Sequence, residues 1–178
     1  KAGIFASQVF DHSAQYSGTY LWLAAILYSF QLYADFFSCV TICQGVSALF
    51  GIRLAENFDH PYTALSIQEF WRRWHMSLGS WFRDYVYIPL GGNKCSASRQ
   101  ILNMAVVWTL TGVWHGASWN FVFWGLMYFA LLTFEKLTGI PGNLRSPWAK
   151  GIYRVFTLLC VVIGWVFFRA EDMAAGVE

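Results

Sequence analysis

Polar and apolar positions fall into long blocks along this chain, and each block predicts its own element. From Thr19 to Phe50 the sequence is apolar apart from Asp35 and a few uncharged polar residues. At about 1.5 Å per residue, one helix over this block exceeds the roughly 30 Å hydrocarbon core of a bilayer. The block is therefore expected either to tilt and protrude or to break near Asp35. Residues 1–18, with Asp11, His12 and Ser13 together, read as a connection. So does Gly51–Ser66, which carries Arg53, Glu56, Asp59 and Pro61. His12 and His60 lie beside acids in these stretches and are expected to be solvated.

Ser66-Ile-Gln-Glu69 has the form of a capping box, a serine with a glutamate three residues on, and predicts a helix start. At 100° per residue, Phe70, Trp71, Trp74, Leu78, Trp81, Phe82 and Tyr85 share one broad face, with Arg72, Arg73, Ser80, Arg83 and Asp84 on the other. One amphipathic helix is expected, ended by Pro89 and Gly91-Gly92. It suits a membrane interface or the wall of a cavity.

The next block, Ile101–Phe134, holds 34 residues without a formal charge. That is long for one span and short for two. Gly112, Gly116 and Asn120 are the natural breaking points, so two short or re-entrant helices meeting around His115 are expected. Irregular backbone at membrane depth is tolerated only where protein or a water-filled cavity satisfies it, which predicts a cavity at His115. Residues 135–154 then read as a basic loop with Pro141 and Pro147. A last span over Val155–Phe168 is ended by Arg169-Ala-Glu-Asp172.

Composition agrees with this pattern. The chain is 57% hydrophobic, 20% aromatic and only 12% charged over 178 residues, about half the usual charged content of a soluble domain. It reads as an all-α, polytopic membrane protein, a single transmembrane domain over residues 1–178. Lys1-Ala-Gly-Ile lacks the pattern of a signal peptide. The missing initial Met and the abrupt end at Glu178 lead us to expect a piece of a longer chain. Six basic residues lie between Arg53 and Arg99 and four between Lys136 and Arg154. A hairpin over Ile101–Phe134 puts both groups on one side, cytoplasmic by the positive-inside rule.

An ionisable group at membrane depth is costly and marks a functional site. His115, in Trp108-Thr-Leu-Thr-Gly-Val-Trp-His115-Gly-Ala-Ser-Trp-Asn120, titrates near neutrality and is the first candidate. The competing reading is a hydrogen-bonded structural histidine. Asp35 must face a cavity or a partner cation, and a structural pair with an arginine is as good a reading as chemistry. Cys39, Cys43, Cys95 and Cys160 have no zinc spacing and read as small apolar residues. No metal site is expected. Gly-Gly-Asn-Lys94 is no phosphate loop, and no Gly-x-Ser-x-Gly elbow is present. A net charge of +2 points to no polyanionic partner, and Trp71-Arg-Arg-Trp-His75, which could suggest stacking on nucleic acid, lies in a barely basic chain amid membrane-embedded sequence, which argues against that reading.

The run Phe70-Trp-Arg-Arg-Trp-His75-Met-Ser-Leu-Gly-Ser-Trp-Phe-Arg-Asp84-Tyr, followed by Tyr87-Ile-Pro-Leu-Gly-Gly92-Asn, resembles the membrane-bound O-acyltransferase family. Leu110-Thr-Gly-Val-Trp-His115-Gly-Ala-Ser-Trp is similar to its second signature, and Gly164-Trp-Val-Phe-Phe-Arg169-Ala to a later segment. The likeness runs over residues 33–170 and is nearest to bacterial alginate O-acetylases. It implies a multi-helix fold with a tunnel and acyl transfer from a thioester donor to a hydroxyl. His115 matches the family's essential histidine and His75 its second one. Asp35 lies in Tyr-Ala-Asp-Phe, similar to a Tyr-x-Asp-Phe segment of the family. Phe37, Ser38 and Thr41 depart from the Ser-Gly pair and second acid usual in alginate-type members, which bears on the acceptor.

The expected function is then transfer of an acyl group, acetyl in the first instance, to a polysaccharide or other envelope glycan. His115 acts as general base, among Trp108, Trp114 and Trp119, and His75 orients a substrate or His115 itself. Asp35, Trp114, Asn120 and Arg83 are expected to bind substrate, and Asn120, Ser118 or backbone N–H groups to meet the oxyanion. The donor is expected to be acyl-coenzyme A or an acyl-carrier thioester, with no bound cofactor. Membrane lipid and other envelope-modification proteins are the expected partners, in the bacterial inner membrane. The rival from another class is a transporter or proton-relay pore using Asp35 and His115.

Overall fold

A computed structural model describes residues 2–116 and 118–170, with the side chain of Ala2 left aside. Among the described residues eight α-helices follow one another: α1 (Ala2–Asp11), α2 (Gly18–Leu49), α3 (Ile67–Arg73), α4 (Met76–Phe82), α5 (Ala97–His115), α6 (Trp119–Thr138), α7 (Ile140–Asn143) and α8 (Pro147–Arg169). A π-helical turn, Arg83–Tyr87, extends α4. No strand occurs among the described residues, and the all-α class follows. By length and composition α2, α6 and α8 can each cross a membrane. Their outer faces leave large apolar side chains such as Phe30, Ile42, Trp148 and Ile152 exposed.

α2 runs unbroken for 32 residues, about 48 Å, so there is no break at Asp35. Residues 1–18 are not a plain connection. α1 lays Ala6 and Val9 against Ala24 of α2, all three fully buried. The connection expected over 135–154 is also short: α6 runs on to Thr138 and α8 begins at Pro147, whose missing N–H costs nothing in a first turn. Of the residues expected to end the last span, Glu171 and Asp172 lie outside the described residues. Arg169 remains, 3.3 Å from Asp11 and over the Phe10 and Tyr28 rings.

The core gathers where α2, α3, α6 and α8 converge, around Phe70, Trp74, Trp124, Tyr128, Val161 and Trp165. Rings meet there largely edge to face, as their quadrupoles prefer; Trp71 stands at 83° to Tyr128 with centroids 4.8 Å apart. α5 and α6 form the expected hairpin. Gly112 is not its breaking point but lies inside α5, buried. A Cβ there would strike the backbone oxygen of Phe121, and one on Gly125 that of Trp108. Two bare positions let the helices touch backbone to backbone, the small-residue packing of membrane helices. The chain turns at Gly116 instead, and Asn120 sits in the first turn of α6.

The serine half of the capping box forms, and the glutamate reaches one residue further back than the N-cap. The Ser66 hydroxyl accepts Glu69 N–H at 3.1 Å, and the Glu69 carboxylate accepts Leu65 N–H at 2.7 Å. Three other helices hold the same corner. Tyr62 donates to the Ser29 carbonyl on α2 at 2.7 Å, Thr157 of α8 to Leu65 O at 2.9 Å, and Glu135 of α6 accepts Ile67 and Gln68 N–H at 2.8 and 2.9 Å. Glu135, placed in a loop by its sequence, is buried.

Candidate active site

The amphipathic helix expected from Ser66 to Tyr85 is broken where chemistry is expected. Trp74 leaves α3 extended, and His75 takes a left-handed conformation, φ 47° and ψ 54°, before α4 begins. A non-glycine residue there costs about 1–2 kcal/mol, although histidine is among the more tolerant types. The segment 57–59 supplies the reason. Phe58 bridges to Trp74, Asp59 N–H donates to Arg73 O at 3.0 Å, and Met76 N–H to Asn57 O at 3.0 Å. The Asn57 side-chain oxygen lies 3.1 Å from His75 Nδ1 and accepts Ser77 N–H at 3.2 Å. This antiparallel clasp turns the chain and aims His75 inward. Periodicity carries no trace of it, and nothing in the local sequence marks Asn57.

His115 ends α5, at the tip of the hairpin. Its ring is edge-on to Trp124 and Phe168, each 5.1 Å away, and to Trp114 at 4.8 Å. The Trp114 ring also stands 6.2 Å from that of His75, so it lies beside both histidines. Trp119, expected in the same shell, is exposed.

Both histidines line one partly open cavity of about 850 Å³. Lys136 and Trp124, twelve residues apart on α6, both line it, so it runs about 18 Å along that helix. Its walls are aromatic: Trp71, Trp74, Trp108, Trp124 and Trp165. Exposed cations border it in Arg72, Arg83 and Lys136. The passage thus leads from a basic rim to the hairpin tip. His115 is neither sealed in packed side chains nor out in bulk solvent.

Burial holds the His75 imidazolium below the ordinary histidine range, because charge is disfavoured away from water. The ring is neutral at neutral pH. Arg83 is bidentate to Asp84, at 2.7 and 3.1 Å, and that hydrogen bond keeps the Asp84 carboxyl below its usual value.

The other candidates divide. Asn120 is buried off the cavity, and its Nδ2 donates to Ala170 O at 2.7 Å and Phe167 O at 3.4 Å. Its donor is spent on joining α6 to the end of α8. Asp35, expected to be buried, is exposed on α2, with no ion pair among the described residues. His12 and His60 are exposed, as expected; Cys39 and Cys43 are exposed and Cys95 and Cys160 half-buried. Among the described residues no group of three His, Cys, Asp or Glu side chains is placed to hold a metal.

The sequence matches the model of the membrane-bound O-acyltransferase family over residues 4–174. It is 41% identical to a probable alginate O-acetylase of Azotobacter vinelandii, over 85% of this chain and 30% of that one. It is 36% identical to a peptidoglycan O-acetyltransferase of Helicobacter pylori, over 98% of this chain and 33% of that one. It is 34% identical to a teichoic acid D-alanyltransferase of Bacillus subtilis, over 79% of this chain and 37% of that one. The chain spans about a third of the length of these curated relatives.

Proposed function

Since the chain belongs to the membrane-bound O-acyltransferase family, we propose that the whole protein moves an acyl group, acetyl in the first instance, from a thioester to a hydroxyl of an envelope polysaccharide. The relatives are named for alginate, peptidoglycan and teichoic acid, all polymers that bear hydroxyl groups. The single observation that carries the reading is that His115 and His75 stand on one cavity whose rim is cationic and whose walls are aromatic.

The chemistry follows from those residues. A sugar hydroxyl is a poor nucleophile because it is almost wholly protonated at neutral pH. Neutral His115 takes that proton as the oxygen attacks the thioester carbonyl, and the sulfur leaves as thiol once the tetrahedral intermediate collapses. A positioned base of this kind contributes about 10²–10⁴-fold. The aromatic walls exclude water, which would otherwise compete for the acyl group. Arg72, Arg83 and Lys136 attract the phosphates of a coenzyme A or carrier-bound donor. His75 orients the acceptor.

The protein sits, on this reading, in the bacterial cytoplasmic membrane as a multi-pass enzyme, with its basic loops inside and other envelope-modification proteins as partners. The test is incorporation of labelled acetyl from acetyl-coenzyme A, and from an acetylated acyl carrier, into envelope polysaccharide by membranes holding the full-length protein. Incorporation above protein-free membranes is expected. Proton or solute flux with no incorporation from either donor contradicts the reading and favours a pore.

A further inference from the structure

Asn57 belongs to no helix, yet the turn that presents His75 is tied to it. Its Oδ1 accepts Ser77 N–H at 3.2 Å and also the Ser77 hydroxyl, and lies 3.1 Å from His75 Nδ1. A backbone N–H can only donate, so the atom facing Ser77 N is the amide's oxygen and not its nitrogen. An oxygen in that place leaves His75 Nδ1 one way to bond, as an N–H donor. We propose that Asn57 is a positioning residue that locks His75 in the Nδ1-protonated tautomer and leaves the Nε2 lone pair to accept a hydrogen bond from a second hydroxyl of the acceptor sugar, beside the one whose proton His115 takes.

The rest of the surroundings points the same way. Phe36 is edge-on to the His75 ring at 4.8 Å and Trp114 stands at 6.2 Å. Phenyl carries no acceptor atom and indole nitrogen only donates, so a proton on Nε2 would find no partner in either. The charged and titratable groups sharing the cavity are Arg72, Arg83, Lys136, Tyr87 and His115. The fixed charges among them are cations, which oppose an imidazolium and favour the single-proton ring. The tautomer decides the role. With Nε2 bare the ring takes a hydrogen bond from a neighbouring hydroxyl of the acceptor and so orients it; with Nε2 protonated it would donate to the thioester carbonyl.

The inference rests on the acyl-transfer reading and adds which atom of His75 acts and what holds it there. The test is solid-state NMR of the full-length protein, labelled with ¹⁵N-histidine, in lipid bilayers, with His75→Asn to assign the signals. Acetyl transfer from acetyl-coenzyme A is measured on the same variants. The wild type is expected to show Nδ1 protonated and Nε2 bare at residue 75. Asn57→Ala is expected to show mixed tautomers and about 100-fold slower transfer, with the Michaelis constant for acetyl-coenzyme A unchanged. Asn57→Asp keeps the oxygen that holds Ser77, so it covers the case in which the alanine variant fails to fold. Its carboxylate is expected to drive the ring to the doubly protonated form and to move the acid limb of transfer to higher pH. Nε2 protonated in the wild type, or an unchanged tautomer in Asn57→Ala, overturns the proposal. Wild-type transfer by His75→Asn removes His75 from the reaction and overturns the use of the tautomer, even where the tautomer itself is as stated.

Discussion

Glu135 on α6 accepts the backbone N–H of Ile67 on α3 at 2.8 Å. The same carboxylate takes Gln68 N–H at 2.9 Å and the Tyr153 hydroxyl of α8 at 3.0 Å. A helix start leaves its first N–H groups without partners, and an anion there is favourable. One buried carboxylate therefore fixes where α3 begins, and so where His75 ends up. Glu135→Ala leaves those donors buried and unpaired and is expected to cost about 3 kcal/mol. Glu135→Gln, whose carbonyl oxygen can still accept Ile67 N–H and the Tyr153 hydroxyl, is expected to lose less than half of that. Unfolding of the purified full-length protein in detergent checks the order, and equal stability of the two variants contradicts it.

The close α5–α6 contact gives a second expectation. A side chain at Gly112 meets the Phe121 backbone, which cannot swing aside as a flexible side chain can. Gly112→Val is expected to push the hairpin apart and cost about 1–3 kcal/mol, the usual range for overpacking. Gly142, which a Cβ would leave in open space, is the control: Gly142→Ala is expected to change stability by less than about 0.5 kcal/mol.

Acid should destabilise the protein in part through His75. Burial lowers its folded pKa below the unfolded value of about 6.5. In the window between the two, the unfolded chain binds more protons. Stability is thus fully present above about pH 6.5 and falls as pH drops through the folded pKa. His75→Asn keeps a residue type that tolerates the left-handed turn and removes the titration. Its melting temperature is expected to fall less than that of the wild type between pH 7.5 and pH 5. Parallel curves for the two proteins contradict this account.

If the basic rim receives donor phosphates, its loss should weaken binding and spare the chemical step. The Arg72→Gln and Lys136→Gln double variant is expected to raise the Michaelis constant for acetyl-coenzyme A about tenfold, as loss of a charge-assisted contact does, with kcat unchanged. A fall in kcat at constant KM places these residues at the reacting atoms instead.

How much of this could be read beforehand depends on the range of the interaction. The Ser66–Glu69 cap is local, and the sequence pattern locates it. A turn within Ile101–Phe134 follows from an uncharged block too long for one span, but the choice of Gly116 over Gly112 and Asn120 does not. The break at Trp74–His75 does not, because the apolar face continues in register from Phe70 to Tyr85 while a distant segment, Asn57–Asp59, imposes the kink. Glu135 reads as the first polar residue after an apolar block, and only its pairing with α3 reveals it as buried. The polar cluster Asp11-His12-Ser13 at its end hides α1, although Phe5, Ala6, Val9 and Phe10 have helical spacing. Apolar neighbours place Asp35 inside by sequence, but α2 turns it outward. Of the expected site, His115, His75 and Arg83 line one cavity and Trp114 stands beside both histidines. Asn120 serves the packing of α8 instead.

The most direct test is the rate of acetyl transfer by full-length His115→Ala protein, stably inserted in membranes, against the wild type at equal amounts. A loss of about 10²–10⁴-fold in kcat, with KM for acetyl-coenzyme A little changed, is the predicted result. Transfer at the wild-type rate would contradict the claim that the ring at the hairpin tip removes the proton.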